Sequence, residues 1–377
     1  MKTLYFDYNA TSPVDPQVLE AMKPFFTEKF GNPTSQTHAY GWDAESAVEE
    51  ARAQVAKLLG CLKKEIYFTG SATESNNWAI WGLVKSHFNE LPIHIVTTEV
   101  EHKSVLEPLK ELIQLKLIEV TFVKPQSDGS IQISDIESAV RPNTKLVSVI
   151  WVQNEIGTIA KASEIAQFCH DRKIYFHTDA TQAIGKININ LQDQKIDMLS
   201  FSGHKIYAPK GIGVLYIRSN NPKVTLAPFI SGGGQESSMR SGTLNVPGIV
   251  GIGKACQLAQ MHLSTEPERL LGLRNKFLDL IYQNFPGAEL NGGLENRICN
   301  NMNIFFKGYK VPGQFANLAV SQSSACLSGP ASTSHVLKAI GRSTEEADKS
   351  LRISLGRYTT ESEIHSAIEI LKNQIKK

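Results

Sequence analysis

Cysteine is scarce: there are five in 377 residues. They are far apart and odd in number, which argues against a disulfide framework and for a reduced, cytoplasmic protein. Neither charge sign dominates. With 39 basic against 37 acidic residues the net charge is +2, which gives no electrostatic basis for a nucleic-acid surface. No apolar run approaches the roughly twenty residues of a membrane span. The opening MKTLYFDYNATSP turns polar where a secretory leader would be apolar. The ten histidines are scattered without metal-ligand spacing, so no metal is expected. Internal repeats and low-complexity segments are absent.

The chain does have enough length, and 41% hydrophobic residues, to build a sizeable core over two domains. Strand-like runs alternate with helical ones. EIYFTG precedes ATESNNWAIWGLVKSHF, and HIVTT precedes EHKSVLEPLKELIQL. KLVSVIWVQ leads through a loop to KASEIAQFCHDRK, and IYFHTD leads to ATQAIGK. IDMLSFSG and GVLYIRS are short and apolar. This alternation predicts an α/β domain with a mostly parallel sheet, its strands covered on both faces by helices. After about residue 255 the texture changes. A long helical run, LAQMHLSTEPERLLGLRNKFLDLIYQNF, is followed by the strand NMNIFF and later by SHVLKAIG, LRISLG and ESEIHSAIEILKNQIKK. The expected division is a large domain of residues 15–255 and a small α+β domain of residues 1–14 and 256–377.

Ligands of open parallel sheets bind beyond the carboxyl ends of the strands, so polar residues just after apolar runs carry the functional signal. TGSATES is the first such stretch. Ser71 to Glu74 fits a Ser-x-x-Glu capping box, and small residues at a helix N-terminus suit a phosphate; an ordinary cap explains the motif as well. Asp179 ends IYFHTD, where a carboxylate is costly unless something positive meets it; it could equally cap a helix over ATQAIGK. Lys205, in SFSGHKIYAPKGIG, follows the next apolar run, where a half-buried lysine can form a Schiff base; a plain turn lysine is the alternative. Taken together and in this order, a phosphate cradle, a strand-end acid and a lysine make a pyridoxal 5'-phosphate site, since that cofactor needs a lysine and an acidic partner for its ring nitrogen.

Four cysteines have packing explanations. Cys169 and Cys256 sit in helical patterns, Cys61 follows a glycine at a helix end, and Cys299 borders a strand. Cys326, in SQSSACLSGPAS, has neighbours that are nearly all small and reads as a loop thiol.

The sequence resembles the NifS/IscS-type cysteine desulfurases of the class V aminotransferases over nearly its whole length. FDYNATSPVDP, FGNPTSQTH, SATESNNWAI, TEVEHKSV, QNEIG, HTDATQAIGKI, SFSGHKIYAPKGIG, MRSGTLNVPGIVG, SSACLS and LRISLGRYTT carry the likeness in order. It implies the type I, aspartate-aminotransferase-like fold, with a seven-stranded large-domain sheet and a small α+β domain, and pyridoxal 5'-phosphate as cofactor. It implies that Lys205 carries the cofactor and moves the substrate Cα proton. Asp179 would pair with the ring nitrogen, Gln182 with the phenolic oxygen, and His102 would stack on the ring. Ala72, Thr73, Ser202 and His204 would hold the phosphate, with Thr243 reaching the phosphate of the other subunit of a homodimer. Asn154 would lie beside cofactor and substrate, Arg352 would take the substrate carboxylate, and Asn32 would join the substrate pocket.

By the same resemblance Cys326 is the catalytic thiol that receives sulfur from L-cysteine as a persulfide, leaving L-alanine. The sulfur would pass to an acceptor protein, an iron–sulfur scaffold or a carrier for nucleic-acid thio-modification. Cys326 and Arg352 are 26 positions apart, a spacing that resembles the long-loop group of the family. The family's Ser-Gly-Ser-Ala-Cys is here Gln322-Ser323-Ser324-Ala325-Cys326. The alternatives are a selenocysteine lyase or other pyridoxal-phosphate enzyme of the same fold, and a non-catalytic sulfur-relay scaffold.

Overall fold

The computed structural model describes residues 3–322 and 333–377; Cys326 lies outside the described residues. Among the described residues thirteen strands follow in chain order. They are β1 (Leu4–Tyr5), β2 (Ile66–Thr69), β3 (Ile93–Thr98), β4 (Ile118–Val123), β5 (Thr144–Ser148), β6 (Tyr175–Asp179) and β7 (Met198–Ser202). β8 (Gly213–Ile217), β9 (Ala288–Leu290), β10 (Asn301–Phe306), β11 (Leu318–Ala319), β12 (Ser321–Gln322) and β13 (Ser350–Ser354) complete the set.

Seven of them form one sheet in the order β2-β8-β7-β6-β5-β3-β4. All its pairs are parallel except those of β8, which runs against both β2 and β7. Side chains alternate between two cores. Val96, Val147, Phe176, Leu199 and Val214 enter one, and Ile95, Leu146, Met198 and Leu215 enter the other. Both faces are therefore dry, which is why these strands read as continuous apolar runs. The helices Ala72–Ser86 and Lys103–Gln114 cover one face, and Ala39–Leu59 packs along Val246–His262 on the other.

β12, β13, β10 and β9 form an antiparallel sheet in that order. The N-terminal strand β1 pairs in parallel with β11, and a bridge from Asp7 to Ser354 ties the residues after it to the end of β13. Chain start and chain end are thus joined next to the large sheet.

The structure differs from the sequence reading at two helices. ATQAIGK is a succession of turns: Ala183 and Ile184 both bond to the carbonyl of Ala180, and Gly185 then takes a left-handed φ of +72°. That conformation is open to glycine at little cost, and it stops a helix before it completes a second turn. Asp179 therefore caps a turn, and Gln182 lies within turns. The long run after residue 255 is two helices, Val246–His262 and Glu266–Asn284, the second with Pro267 in its first turn, where the missing N–H has no partner to lose. The first of these runs unbroken through residues 255 and 256.

One acid is buried just beyond the carboxyl edge of the large sheet. Glu101 accepts hydrogen bonds from Thr98 Oγ1 (2.7 Å) and the amide of Ile150 (2.8 Å), while its Oε2 has no partner among the described residues. Burial, chiefly, pushes its pKa up to about 8. Between pH 4.5 and about 8 the folded chain therefore holds a proton that the unfolded chain has released, so this residue lowers stability as pH rises through that window. Glu101→Gln, neutral at every pH, should become progressively more stable relative to the parent across the same interval in denaturant titrations. A pH-independent difference would show that Glu101 does not carry that proton.

Steric closeness sets a second expectation. A Cβ on Gly213, the first residue of β8, would lie 2.5 Å from the carbonyl carbon of Ser71. Backbone cannot yield as a side chain does, so Gly213→Ala should cost about 1–3 kcal/mol, the range of overpacked sites, measured by equilibrium unfolding.

Candidate active site

A cavity of about 220 Å³ opens at the carboxyl ends of the parallel strands. Of the residues singled out from the sequence, it is lined by Ala72, Thr73, His102, Asn154, Asp179, Gln182, Ser202, His204, Lys205 and Arg352. These come from stretches up to 280 residues apart, brought together because strand ends in a parallel sheet share one edge.

Ser71 opens the helix Ala72–Ser86, its hydroxyl accepting the amide of Glu74 at 3.3 Å. Only half of the expected capping box forms. The Glu74 carboxylate passes over the cap residue, accepts the amide of Gly70 at 2.7 Å and pairs with Arg240 at 2.7 Å. The first-turn N–H groups of this helix have no carbonyl within the helix to bond, and Ala72 and Thr73 place that end against the cavity. Both the open N–H groups and the helix dipole favour an anion at such an end.

Asp179 closes β6 at 3% exposure. Its Oδ1 accepts the amide of Thr181 (2.9 Å) and its Oδ2 the side-chain amide of Asn76 (2.8 Å). It forms no ion pair with a described residue. A buried carboxylate held only by neutral donors is poised for a cation.

Lys205 ends the single 3₁₀ turn Gly203–Lys205 that follows β7. Its Nζ donates to the carbonyls of Asn9 (2.5 Å) and Ala10 (2.6 Å). Beside it, His204 bonds through Nδ1 to Thr11 Oγ1 at 3.0 Å. Burial first, then the nearby Lys205 and Lys210, push His204 down to about 4, so it is neutral near pH 7.

His102 caps the helix Lys103–Gln114. Its Nδ1 accepts the amide of Ser104 at 3.2 Å and lies 2.7 Å from the Ser104 hydroxyl. The neutral ring therefore carries its proton on Nε2. Burial lowers its pKa most; Asp179 opposes this, and Lys205, His335 and Lys103 add to it.

Gln182 donates to the carbonyl of Asn9 at 2.9 Å. The carbonyl of Asn154 accepts from Asn9 (3.2 Å) and from Arg352 Nη1 (3.3 Å). Arg352 arrives from β13 of the other sheet, and its Nη2 also pairs with Asp7 at 2.9 Å.

Two of the sequence-selected residues lie outside the cavity. Thr243 is exposed. Asn32 is exposed too and folds back on itself, its Oδ1 accepting the amide and hydroxyl of Thr34 (3.1 and 2.8 Å).

The sequence reading passed over Asn9, Asn76, Ser104 and Thr181. Asn9 is the instructive one. It is 1% exposed and bonds to Gln182, Lys205 and Asn154, yet within YNATS it looks like a turn asparagine. Asn76 had a usable signal: an amide on the apolar side of the helix after the cradle, where only a buried partner would justify it.

The class-V aminotransferase family profile matches residues 4–366. The chain is 45% identical to the cysteine desulfurase IscS of Rickettsia typhi, covering 99% of this chain and 91% of that one. It is 42% identical to the cysteine desulfurase of Homo sapiens, covering 100% of this chain and 82% of the other. Among solved structures, one described as a NifS-like protein superposes with a TM-score of 0.89 at 36% identity, over 98% of both chains. Another, described as SspA in complex with cysteine, gives 0.82 at 38% identity, over 95% of this chain and all of that one. The fold is accordingly the type I fold of pyridoxal-phosphate enzymes, and the chain belongs to the class-V aminotransferases.

Proposed function

We propose that the cavity is the site at which Lys205 holds pyridoxal 5'-phosphate and L-cysteine gives up its sulfur. The enzyme is a pyridoxal-phosphate-dependent cysteine desulfurase. The observation that carries the residue assignment is Asp179. Its buried carboxylate, without a cationic partner among the described residues, lines the same 220 Å³ as the Lys205 amine and a helix N-terminus. A cationic ring nitrogen, an aldehyde carbon and a phosphate are the three features that such a set would satisfy. When bound, the cofactor supplies an electron sink conjugated to the substrate Cα.

The chain's own groups divide the remaining work. Asp179 holds the ring-nitrogen proton, kept in place by Asn76 and the amide of Thr181. Ala72, Thr73, Ser202 and neutral His204 seat the phosphate. Gln182 and Asn154 border ring and substrate, and Arg352 receives the substrate carboxylate by charge-assisted hydrogen bonds. Lys205 Nζ takes the Cα proton. His102, with its Nε2–H toward the cavity and its ring neutral, stacks on the cofactor and exchanges a proton with the substrate thiol.

Cys326 is the nucleophile in this reading. Its thiolate attacks the substrate sulfur; the S–S bond forms as the Cβ–S bond breaks, and the electron pair left on Cβ is protonated to give alanine. The four described cysteines support the choice by elimination. None is disulfide-bonded. Burial pushes Cys299 up to about 11 and raises Cys61, Cys169 and Cys256 further, and a thiol that is not deprotonated does not attack.

The same proposal includes a homodimer in which exposed Thr243 reaches the phosphate site of the second copy, and a protein acceptor for the sulfur. It also places the enzyme in the cytoplasm, supported by the unpaired cysteines. Among the described residues no helix is long and apolar enough to cross a membrane.

With L-cysteine and a thiol reductant, alanine and sulfide should form one for one. Lys205→Ala should lower turnover on the order of 10³-fold or more, within the range lost with a positioned proton-transfer group, and should abolish the yellow absorbance that borohydride bleaches in the parent. Alkylation after a single turnover should find the extra sulfur on Cys326; finding it on Cys299 instead would overturn the assignment of the nucleophile.

A further inference from the structure

Arg352 is 3% exposed, which makes its charge expensive unless its donors are used. Of the five N–H groups of a guanidinium, three have partners. Nη2 donates to Asp7 Oδ1 (2.9 Å) and to Ser321 Oγ (3.2 Å), and Nη1 donates to the carbonyl of Asn154 (3.3 Å). The Ser321 hydroxyl donates in turn to the other oxygen of Asp7 at 2.8 Å, closing a triangle. Nε has no partner among the described residues although it is fully enclosed. The unused donors thus belong to a side chain that lines the cavity.

Asp7 is itself fixed from several directions. Its backbone bridges Ser354 at the end of β13. Its carbonyl accepts the Tyr5 hydroxyl (3.1 Å) and the amide of Ala10 (2.9 Å), the residue whose own carbonyl holds Lys205. The carboxylate therefore cannot follow the guanidinium; the guanidinium must conform to it.

We propose that Asp7 is a positioning residue for the substrate carboxylate. It occupies the Nη2 corner of Arg352, together with Ser321, so that the second Nη1 hydrogen is the donor left for the incoming carboxylate. The inference rests on the reading of Arg352 given above. Two effects of Asp7 on that carboxylate oppose each other: like-charge repulsion across the guanidinium, and orientation of the donors. Orientation wins, because the cation lies between the two anions in an alternating row, whereas a guanidinium without Asp7 is free to turn its donors onto the nearby carbonyls. Ser321 also lies five residues before Cys326 in the chain, so the triangle seats the root of the segment that carries the nucleophile.

The test uses the cofactor-loaded enzyme and two amines that differ in the carboxylate, L-alanine and ethylamine, titrated by the change in cofactor absorbance. Asp7→Ala should weaken L-alanine about tenfold, the size of one charge-assisted hydrogen bond, and raise KM for L-cysteine while kcat holds. Ethylamine should be unaffected. Asp7→Asn, which keeps an oxygen for Nη2, should stay within about threefold of the parent. If Asp7→Ala loses the fold, Ser321→Ala removes only the shared hydroxyl and should cost L-alanine about threefold, again sparing ethylamine. Unchanged L-alanine binding, or equal losses for both amines, would overturn the proposal. A parent enzyme that makes alanine from cysteine but tolerates Arg352→Ala with unchanged KM would instead remove the carboxylate reading beneath it.

Discussion

A carboxylate buried at 3% exposure with no cation of its own organises this molecule. Asp179 is held by an amide side chain and a backbone N–H, enough to fix it and not enough to compensate its charge. Its position dictates the rest. It must sit at the carboxyl edge of a parallel strand to face a cleft, and that edge must lie near elements that bring a helix N-terminus and an amine. β2 supplies the first through Ser71–Thr73, and β7 supplies the second through Lys205. The one antiparallel strand, β8, lies between them in the sheet, and its first residue has to be a glycine for the backbone of the cradle to approach.

The electrostatics around that acid are kept one-sided. His204 and His177 are pushed down to about 4, chiefly by burial, and His102 is lowered for the same reason. Lys205 adds to the effect at both His204 and His102. Three imidazoles near the cleft are thereby neutral hydrogen-bonding groups near pH 7, not competitors for Asp179. The buried acid next to His102 is treated in the same way: Glu101 holds its proton up to about pH 8. The acid without a cationic partner among the described residues is thus left at the cavity wall, where the proposed reading puts a cationic ring nitrogen.

Much of this was legible in the sequence because it is local. A strand end followed by small residues, by an acid or by a lysine is visible in a window of ten residues, and Ala72, Thr73, Asp179 and Lys205, read that way, line one cavity; His102, Asn154, Gln182, Ser202, His204 and Arg352, which line it too, were pointed to by the family resemblance. What escaped was set by distance along the chain. Asn9 has no local reason to be important; it matters because β1 and its following turn return to β13 and pass under Lys205. The ATQAIGK segment failed for the opposite reason. Its local propensity favours a helix, but Gly185 is used in the left-handed region and the run closes into turns. Gln182 nonetheless reaches the cavity, since the first turn alone decides its direction.

The two sheets have different duties, and Arg352 shows how they are joined. The parallel sheet could build a cofactor cleft by itself, but it would have no selectivity for an amino acid. The group that would read the carboxylate comes from β13, in a sheet assembled by antiparallel pairing of late segments. For that guanidinium to hold a set direction in the cleft, something must bind β13 to the large sheet's edge more firmly than a loop would. The N-terminal segment does this. Asp7 bridges β13, Asn9 accepts onto its Oδ1 from Asn300 and donates to Asn154, and Ser12 bonds to the carbonyl of His204. Six residues at the chain start thus fasten Arg352, Lys205 and the edge of the parallel sheet to one another, and the geometry of the cavity depends on a stretch set apart from these side chains in the sequence.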